Sequence, residues 1–181
     1  MGKVARLVLA SALLALTAAC SNGGESSRQE PRSIATTQIQ IPLASRITDN
    51  GNLLDPAQEE RLSAKLRGLE QRTGHQLVVA TVASLDGMDV AAYTNRLANS
   101  WGIGRRGIDD GVVLLVAPNE KKVRIEVGNG LEQMLTNSAS AQVITEQMLP
   151  RFRKGDMPGG IEAAVDALVT RLDKPRQSPA A

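Results

Sequence analysis

The chain has 181 residues, enough for one domain or two small ones, and its apolar fraction of 42% is typical of a folded globular protein. Aromatic residues make up only 2%, which argues against binding nucleic-acid bases by stacking, and one cysteine with one histidine excludes an internal disulfide, a Cys-rich or His-rich zinc site and a dithiol redox pair. The net charge of +2 arises from Lys3 and Arg6 in the first 19 residues, so charge gives no reason to expect nucleic-acid binding.

Residues 1–19 have the features of a secretory signal peptide. Lys3 and Arg6 precede an apolar stretch, Leu7–Leu16, which is interrupted only by Ser11. The stretch is too short to cross a bilayer, which needs about 20 apolar residues. We therefore expect an exported protein.

Cys20 lies directly after this signal. The segment Leu16–Cys20 resembles the lipobox of bacterial lipoproteins, although its leucine stands four rather than three positions before the cysteine. We expect acylation of Cys20 and a lipid anchor in the bilayer of the cell envelope. In a Gram-negative host, Ser21 favours the outer membrane, facing the periplasm. The alternative is a soluble export signal that is cut near Ala19.

Composition divides the rest of the chain into three parts. Residues 20–38 are polar and rich in Ser and Gly, which predicts a lipidated N-terminus followed by a flexible linker. Residues 173–181 are predicted to be a disordered tail for the same reason. The folded domain is expected to span residues 39–172.

The first half of this domain alternates helix and strand signals. Asp55, Pro56 and Gln58 form a helix start with a capping box, and Gly74 can end that helix. A continuous β-branched run at 76–82 predicts a strand buried on both faces. Residues 89–101 follow as a second helix. His75, between the first helix and the strand, is expected to be a solvated surface residue.

The second half begins with the most apolar strand, 111–117, and a turn that leads to an alternating strand at 123–127. Together they predict a β-hairpin. A helix at 138–149 is expected to end at Pro150, and the apolar spacing over 161–172 predicts the last helix. The strands at 76–82 and 111–117 are separated by a helix and should be parallel. The fold class is α/β, a three-layer α/β/α sandwich with a small mixed β-sheet flanked by helices.

A glycine-rich loop joins the second helix to the most apolar strand. Gly102, Gly104 and Gly107 match the dinucleotide-binding fingerprint, and Gly111 follows at the start of the strand. That fingerprint requires a strand before the glycines and a helix N-terminus after them, whereas this order is reversed. We therefore expect no nucleotide, and interpret the glycines as a helix end followed by a tight, mobile loop.

Four carboxylates are candidate ligands for a hard divalent cation such as Ca²⁺ or Mg²⁺. Asp109 and Asp110 end the glycine loop, Glu132 follows the hairpin, and Asp49 precedes the first helix. If the hairpin forms, the first three leave the same end of the sheet. The alternatives are a polar turn at 109–111 and a favourable charge in a helical first turn for Glu132.

Three arginines could contact a phosphate group in a metal-assisted reaction. They are Arg105, Arg106 and Arg124. The alternative for such basic side chains is a solvated surface. No serine, cysteine or second histidine completes a nucleophilic triad with His75, and no catalytic nucleophile can be assigned.

Several blocks together resemble the TPM domain family. They are 101–104, 109–117 and 123–132, extended by 49–54 and 149–156, and the resemblance covers about residues 47–172. It implies an α/β/α sandwich, usually exported and membrane-associated. Plant lumenal members are linked to photosystem II repair and described as acid phosphatases, animal members modulate a receptor channel, and several bacterial members bind divalent cations.

One position departs from the family pattern. The family usually has Asp-Asn-Gly where this chain has Asp109-Asp110-Gly111, and the extra carboxylate could strengthen cation binding or, without a cation, raise one aspartate pKa. We expect a membrane-tethered module that binds a divalent cation and an envelope protein partner in assembly or maintenance. The alternative function is a metal-assisted acid phosphatase.

Overall fold

The computed structural model describes residue 39 and residues 41–173. Cys20, the signal peptide, and nearly all of the predicted linker and tail lie outside these residues. Within them, no helix has the length and apolar character needed to cross a membrane. In chain order the main elements are β1 (Ile47–Asp49), α1 (Pro56–Thr73), β2 (Gln76–Thr81), α2 (Val90–Trp101), β3 (Gly111–Ala117), β4 (Lys122–Val127), α3 (Asn137–Gln142), α4 (Leu149–Phe152) and α5 (Met157–Leu172).

The four strands form one mixed sheet in the order β1-β2-β3-β4. The strand β2 pairs in parallel with both β1 and β3, whereas β3 and β4 form an antiparallel hairpin. The mixed sheet, the parallel pair and the hairpin were all predicted and are confirmed. The short edge strand β1 was not predicted, because three residues are too few to show an alternating pattern.

The ends of α1 follow from its sequence. The Asp55 carboxylate accepts a hydrogen bond from the Gln58 backbone at 2.7 Å, and the Gln58 side chain accepts one from the Asp55 backbone at 2.9 Å. Gly74 ends the helix in the left-handed conformation at a φ of 80°. The predicted capping box and helix end are therefore confirmed.

Helices cover both faces of the sheet, as predicted. One face of β2 and β3, including Leu77 and Leu114, packs in a large apolar core with α1, α5 and the α3–α4 region. The other face, including Leu115, packs in a smaller core with Tyr93 and Leu97 of α2. The architecture is the expected three-layer α/β/α sandwich.

The helical segment near Pro150 corrects one prediction. The helix does not stop at Pro150 but continues to Phe152, with a π-helical segment at Val143–Met148 between α3 and α4. A proline interrupts the ordinary ladder because it has no N–H and its ring crowds the carbonyl four residues earlier. The change to π-helical bonding directly before α4 accommodates this defect.

His75 corrects a second prediction. The side chain is fully buried rather than solvated, because α5 packs against α1 and its last residue, Leu172, lies beside the His75 ring. Its Nδ1 lies 3.1 Å from the Leu172 carbonyl oxygen at the end of α5. Among the described residues, Nε2 has no hydrogen-bond partner. His75 therefore connects two helix ends in the interior.

Candidate functional site

The candidate site is built on the loop 102–111, which joins α2 to β3. Gly102 ends α2 at a φ of 62°, and its backbone N–H donates to the carbonyl oxygens of Ala98 and Asn99. The carbonyl end of α2 therefore faces the loop, the reverse of the phosphate-binding arrangement. Gly104 and Gly107 also have positive φ values, and Gly111 packs directly against the backbone of Ile103.

Close backbone contacts fix this loop against the end of the hairpin. The Gly128 N–H donates to the Gly111 carbonyl oxygen at 2.8 Å, and the Gly130 N–H donates to the Asp109 carbonyl oxygen at 3.1 Å. A Cβ atom at Gly128 would overlap the carbonyl oxygen of Asp109. The loop is therefore tight, as predicted, because glycine after β4 permits the approach.

The two adjacent aspartates occupy different environments. Asp110 is fully buried, and its carboxylate accepts hydrogen bonds from Arg105: Oδ1 from the backbone N–H at 2.9 Å, and Oδ2 from Nε at 2.8 Å and from Nη2. Asp109 is exposed and lines the adjacent cleft. Arg105 therefore already neutralises Asp110, and Asp109 is the carboxylate of the two that lines the cleft.

The direction of the Asp110 pKa follows from these contacts. Burial alone raises the pKa of the carboxyl, but the hydrogen bonds and positive charge of Arg105 outweigh it, so the pKa lies below its ordinary value. The hydrogen bond to Asp110 correspondingly raises the pKa of Arg105. The raised aspartate pKa considered above for an empty cation site is therefore not found at Asp110.

Asp49 does not belong to the same site as Asp109. Asp49 ends β1 and pairs in register with Thr81 at the end of β2, whereas the residues around Asp109 precede β3. Since these strands are parallel, Asp49 lies at the opposite end of the sheet. Its carboxylate accepts hydrogen bonds from the backbones of Leu53 and Leu54 at 3.1 and 2.8 Å and from the Thr81 hydroxyl. These contacts give Asp49 a structural role in the turn before α1.

Glu132 lies at the same end of the sheet as Asp109, as expected, but outside the cleft lining. It is exposed and follows a short 3₁₀ turn at Asn129–Leu131. Within residues 41–173, no three His, Cys, Asp or Glu side chains are grouped closely enough to hold a metal ion. The four predicted carboxylates therefore do not form one cluster.

The three arginines that were predicted to contact phosphate differ in their surroundings. Arg105 is paired with Asp110, and Arg124 donates to Glu126 from Nε at 3.0 Å. Of the three, only Arg106 has no ion-pair partner in the described part of the chain, and it is exposed. The first two arginines are therefore engaged by carboxylates of the protein itself.

Asp109 lines a polar cleft of about 300 Å³ between α2 and the adjoining ends of β3 and β4. The cleft brings together side chains whose polar atoms include carboxylate or amide oxygens: Asn95, Asn99, Asp109, Glu126 and Asn129. The side-chain nitrogen of Asn99 donates to the Asn95 backbone and side-chain oxygens at 2.8 and 3.0 Å. Every one of these side chains can offer oxygen to a hard cation.

Sequence reasoning did not identify Glu126, Asn95 or Asn99 as site residues. Two signals could have done so. Asn95 and Asn99 are spaced four apart and so share one face of α2. Glu126 alternates with the buried Ile125 along β4 and so points to the face that α2 covers.

The chain is similar to a known domain family and to solved structures of bacterial proteins. The family described as the TPM domain matches residues 47–171. The N-terminal domain of a P. gingivalis protein is 31% identical with a TM-score of 0.67, covering 71% of this chain and 82% of that one. None of the curated proteins matches the chain at a significant level.

Two further solved structures share the fold at lower identity. The N-terminal domain of a Corynebacterium glutamicum protein is 15% identical with a TM-score of 0.57, covering 76% of this chain and 88% of that one. The BA42 protein of Bizionia argentinensis is 16% identical with a TM-score of 0.59, covering 68% and 86%. Because the family match extends over most of the chain and agrees with the observed fold, the chain belongs to the TPM domain family.

Proposed function

We propose that this protein is a membrane-tethered envelope module that binds a divalent cation in the cleft beside Asp109 and uses that site to hold a partner protein. The observation that carries the proposal is the set of oxygen-bearing side chains in one cleft, with Asp109 and Glu126 as its carboxylates. Two loop-to-hairpin backbone hydrogen bonds support the cleft wall. A preformed wall reduces the entropy that ligand binding must overcome.

The donor chemistry of the cleft fits Ca²⁺ or Mg²⁺. Ca²⁺ takes six to eight oxygen ligands in a flexible arrangement, and Mg²⁺ keeps several water molecules, so carboxylates, amides and water together suffice for either ion. Asp109 and Glu126 would supply the negative charge, and the asparagines neutral oxygens. With only two carboxylates, we expect a dissociation constant of about 10⁻⁴–10⁻³ M, as in extracellular calcium modules.

A binding role has more support than a catalytic one. The side chains that line the cleft are acidic, amide or apolar, and include no serine, threonine, cysteine, histidine or lysine. A catalytic site of the usual kind needs a nucleophile or base held by an orienting partner. A cation bridging Asp109 and Glu126 would instead order one surface on which a partner could dock.

Calorimetry on the full chain tests cation binding. Asp109→Asn removes one charge at a position whose φ of 54° asparagine tolerates, and should weaken Ca²⁺ and Mg²⁺ binding at least about tenfold. Asp86→Asn is the matched control, because Asp86 is also exposed and has a φ of 50°. Equal binding by wild type and Asp109→Asn would contradict the proposal.

Two experiments address the tether and the partner. Labelled palmitate should be incorporated into the wild type but not into Cys20→Ala, and unchanged incorporation would contradict acylation at that residue.

Capture of partners from envelope membranes should then depend on calcium and fail after chelation. If the same proteins are recovered with Asp109→Asn, the cation site has no part in docking.

The alternative, a metal-assisted acid phosphatase, needs an arginine free to meet phosphate. Arg106 is the candidate, because Arg105 and Arg124 are paired with carboxylates. Hydrolysis of an aryl phosphate at acidic pH that requires both Asp109 and Arg106 would favour this alternative. Turnover that survives Asp109→Asn would assign the activity elsewhere.

A further inference from the structure

A second concave site lies at the far end of the hairpin. It is a groove of about 440 Å³ between the β3–β4 turn, α4 and the start of α5. Its apolar walls include Val116, Pro118, Val123, Leu149, Phe152 and Met157. Small-molecule sites in proteins usually occupy about 300–1,000 Å³ and are mostly apolar with a few polar groups. The groove has that size and character.

The polar groups around this groove carry one sign of charge. Lys121, Lys122 and Arg153 line it and are exposed, and no acidic side chain is among its lining residues. Seven other Lys or Arg side chains in the described part of the chain form ion pairs, whereas these three do not. Among the described residues, three positive charges therefore lie beside an apolar surface without an ion-pair partner.

We propose that the groove binds a single-chain anionic amphiphile, a long-chain carboxylate of the fatty-acid class. The acyl chain would lie against Val123, Phe152 and Met157, where burial contributes about 0.8 kcal/mol per methylene. The carboxylate would lie beside Lys121 and Lys122. Neither group alone specifies this ligand, because an apolar groove takes any apolar molecule and surface lysines attract any anion.

The size of the groove favours this ligand over a folded partner. A stable protein interface buries about 800 Å² on each partner, which is more than a groove of this volume can supply by itself. The groove also lies at the opposite end of β3 from Asp109, about 20 Å away for a seven-residue strand. Cation binding beside Asp109 and amphiphile binding in the groove can therefore be tested independently of each other.

Calorimetric titration of the full chain with dodecanoate, below its micellar concentration, tests the proposal. Binding should be saturable at one site, and dodecyltrimethylammonium, which has the same chain with a cationic head, should bind at least about tenfold more weakly. Equal affinity for the two probes would overturn the proposal, as would the lack of saturable dodecanoate binding.

Two variants locate the site. Lys121→Gln/Lys122→Gln removes two of the three positive charges that line the groove, and Met157→Glu places a carboxylate among the apolar walls at a helix start that favours negative charge. Each should weaken dodecanoate binding at least about tenfold, while Arg96→Gln/Arg106→Gln, which makes the same change of charge at two exposed arginines away from the groove, should not. Unchanged binding in either groove variant would overturn the proposal.

A further arm separates this ligand from a membrane surface. Phosphatidylglycerol vesicles present many anionic heads whose chains are held in the bilayer. If the protein does not bind free dodecanoate, and its binding to these vesicles is lost in Lys121→Gln/Lys122→Gln although Cys20 is unchanged, the lysines act as a membrane-facing patch and the proposal fails. Circular dichroism of each variant checks that folding is intact. If Met157→Glu unfolds, Lys121→Gln/Lys122→Gln still tests the proposal.

Discussion

Arg105 holds the buried carboxylate of Asp110 through its side chain and its backbone at once. The guanidinium Nε lies 2.8 Å from Oδ2, and the backbone N–H lies 2.9 Å from Oδ1. Because the two residues lie at either end of the segment 105–110, the pair closes that part of the loop. This pair determines which of the adjacent aspartates remains available to a ligand.

Arg105→Ala should destabilise the fold measurably, because it leaves the buried carboxylate of Asp110 without its ion-pair partner. Removing one partner of a fully buried pair is strongly destabilising, and we expect a smaller loss here since Arg105 is 46% exposed. Urea unfolding measures the difference. Arg106→Ala, an exposed neighbour, should change stability by less than about 0.5 kcal/mol. Equal losses in the two variants would contradict a stabilising role for the pair.

The lowered pKa of Asp110 predicts a contribution to stability that depends on pH. The folded pKa lies below the ordinary value of 3.8, so the contribution is fully present above that value and is lost as pH falls through the folded pKa. Wild-type stability should therefore fall more steeply below about pH 4 than that of Asp110→Asn. If the free energy of unfolding of both proteins falls with the same slope in acid, the lowered pKa of Asp110 does not contribute to stability.

His75→Ala should lower stability by about 2 kcal/mol or more. The substitution leaves a cavity in a fully buried position and removes the contact between Nδ1 and the Leu172 carbonyl oxygen. Thermal and urea unfolding measure the loss. Gln71→Ala, in the exposed part of α1, is the control and should change stability little. If His75→Ala loses no more stability than Gln71→Ala, then α5 packs on the domain without help from His75.

The sequence predicted the regular parts of this fold because their signals are local. The capping box at Asp55 and the apolar strand β3 specify their structures within a few residues. The burial of His75 depends instead on α5, which lies almost 100 residues further along the chain. The helix continues past Pro150 because its backbone hydrogen bonding changes to the π-helical pattern, and no residue type in the sequence predicts that change.

The candidate site was predicted only in part for the same reason. Asp109 was found because it stands beside glycines at the start of a strand, a local pattern. The pairing of Asp110 with Arg105 requires a folded loop, and the contribution of Glu126 requires the register of the hairpin. Asp49 was grouped with Asp109 although the parallel sheet places them at opposite ends.

Two glycine substitutions should have opposite effects on stability. Gly128→Ala would force a Cβ atom against the Asp109 carbonyl oxygen, so the loop must move, and we expect a loss of about 2 kcal/mol with weaker cation binding. Gly68→Ala in α1 meets only the flexible end of Arg72 and should stabilise the protein by about 0.5–1 kcal/mol. Unfolding curves of both variants and calcium titration of Gly128→Ala check these expectations.

Arg124 should limit the affinity of the cleft for cations. Its guanidinium lies 2.9 Å from the Glu126 carboxylate, so a cation that uses Glu126 must compete with this pair. Arg124→Gln removes the competing charge and should raise Ca²⁺ affinity about three- to tenfold, the range expected for a partly exposed ion pair worth about 1 kcal/mol.

Arg96→Gln, an exposed arginine on α2, controls for the change in net charge. Calcium titration of both variants at two salt concentrations separates the local effect, which persists at high salt, from general attraction, which is screened. An affinity that is unchanged in Arg124→Gln, or equally raised in Arg96→Gln, would remove Glu126 from the ligand set and leave Asp109 with the asparagines alone.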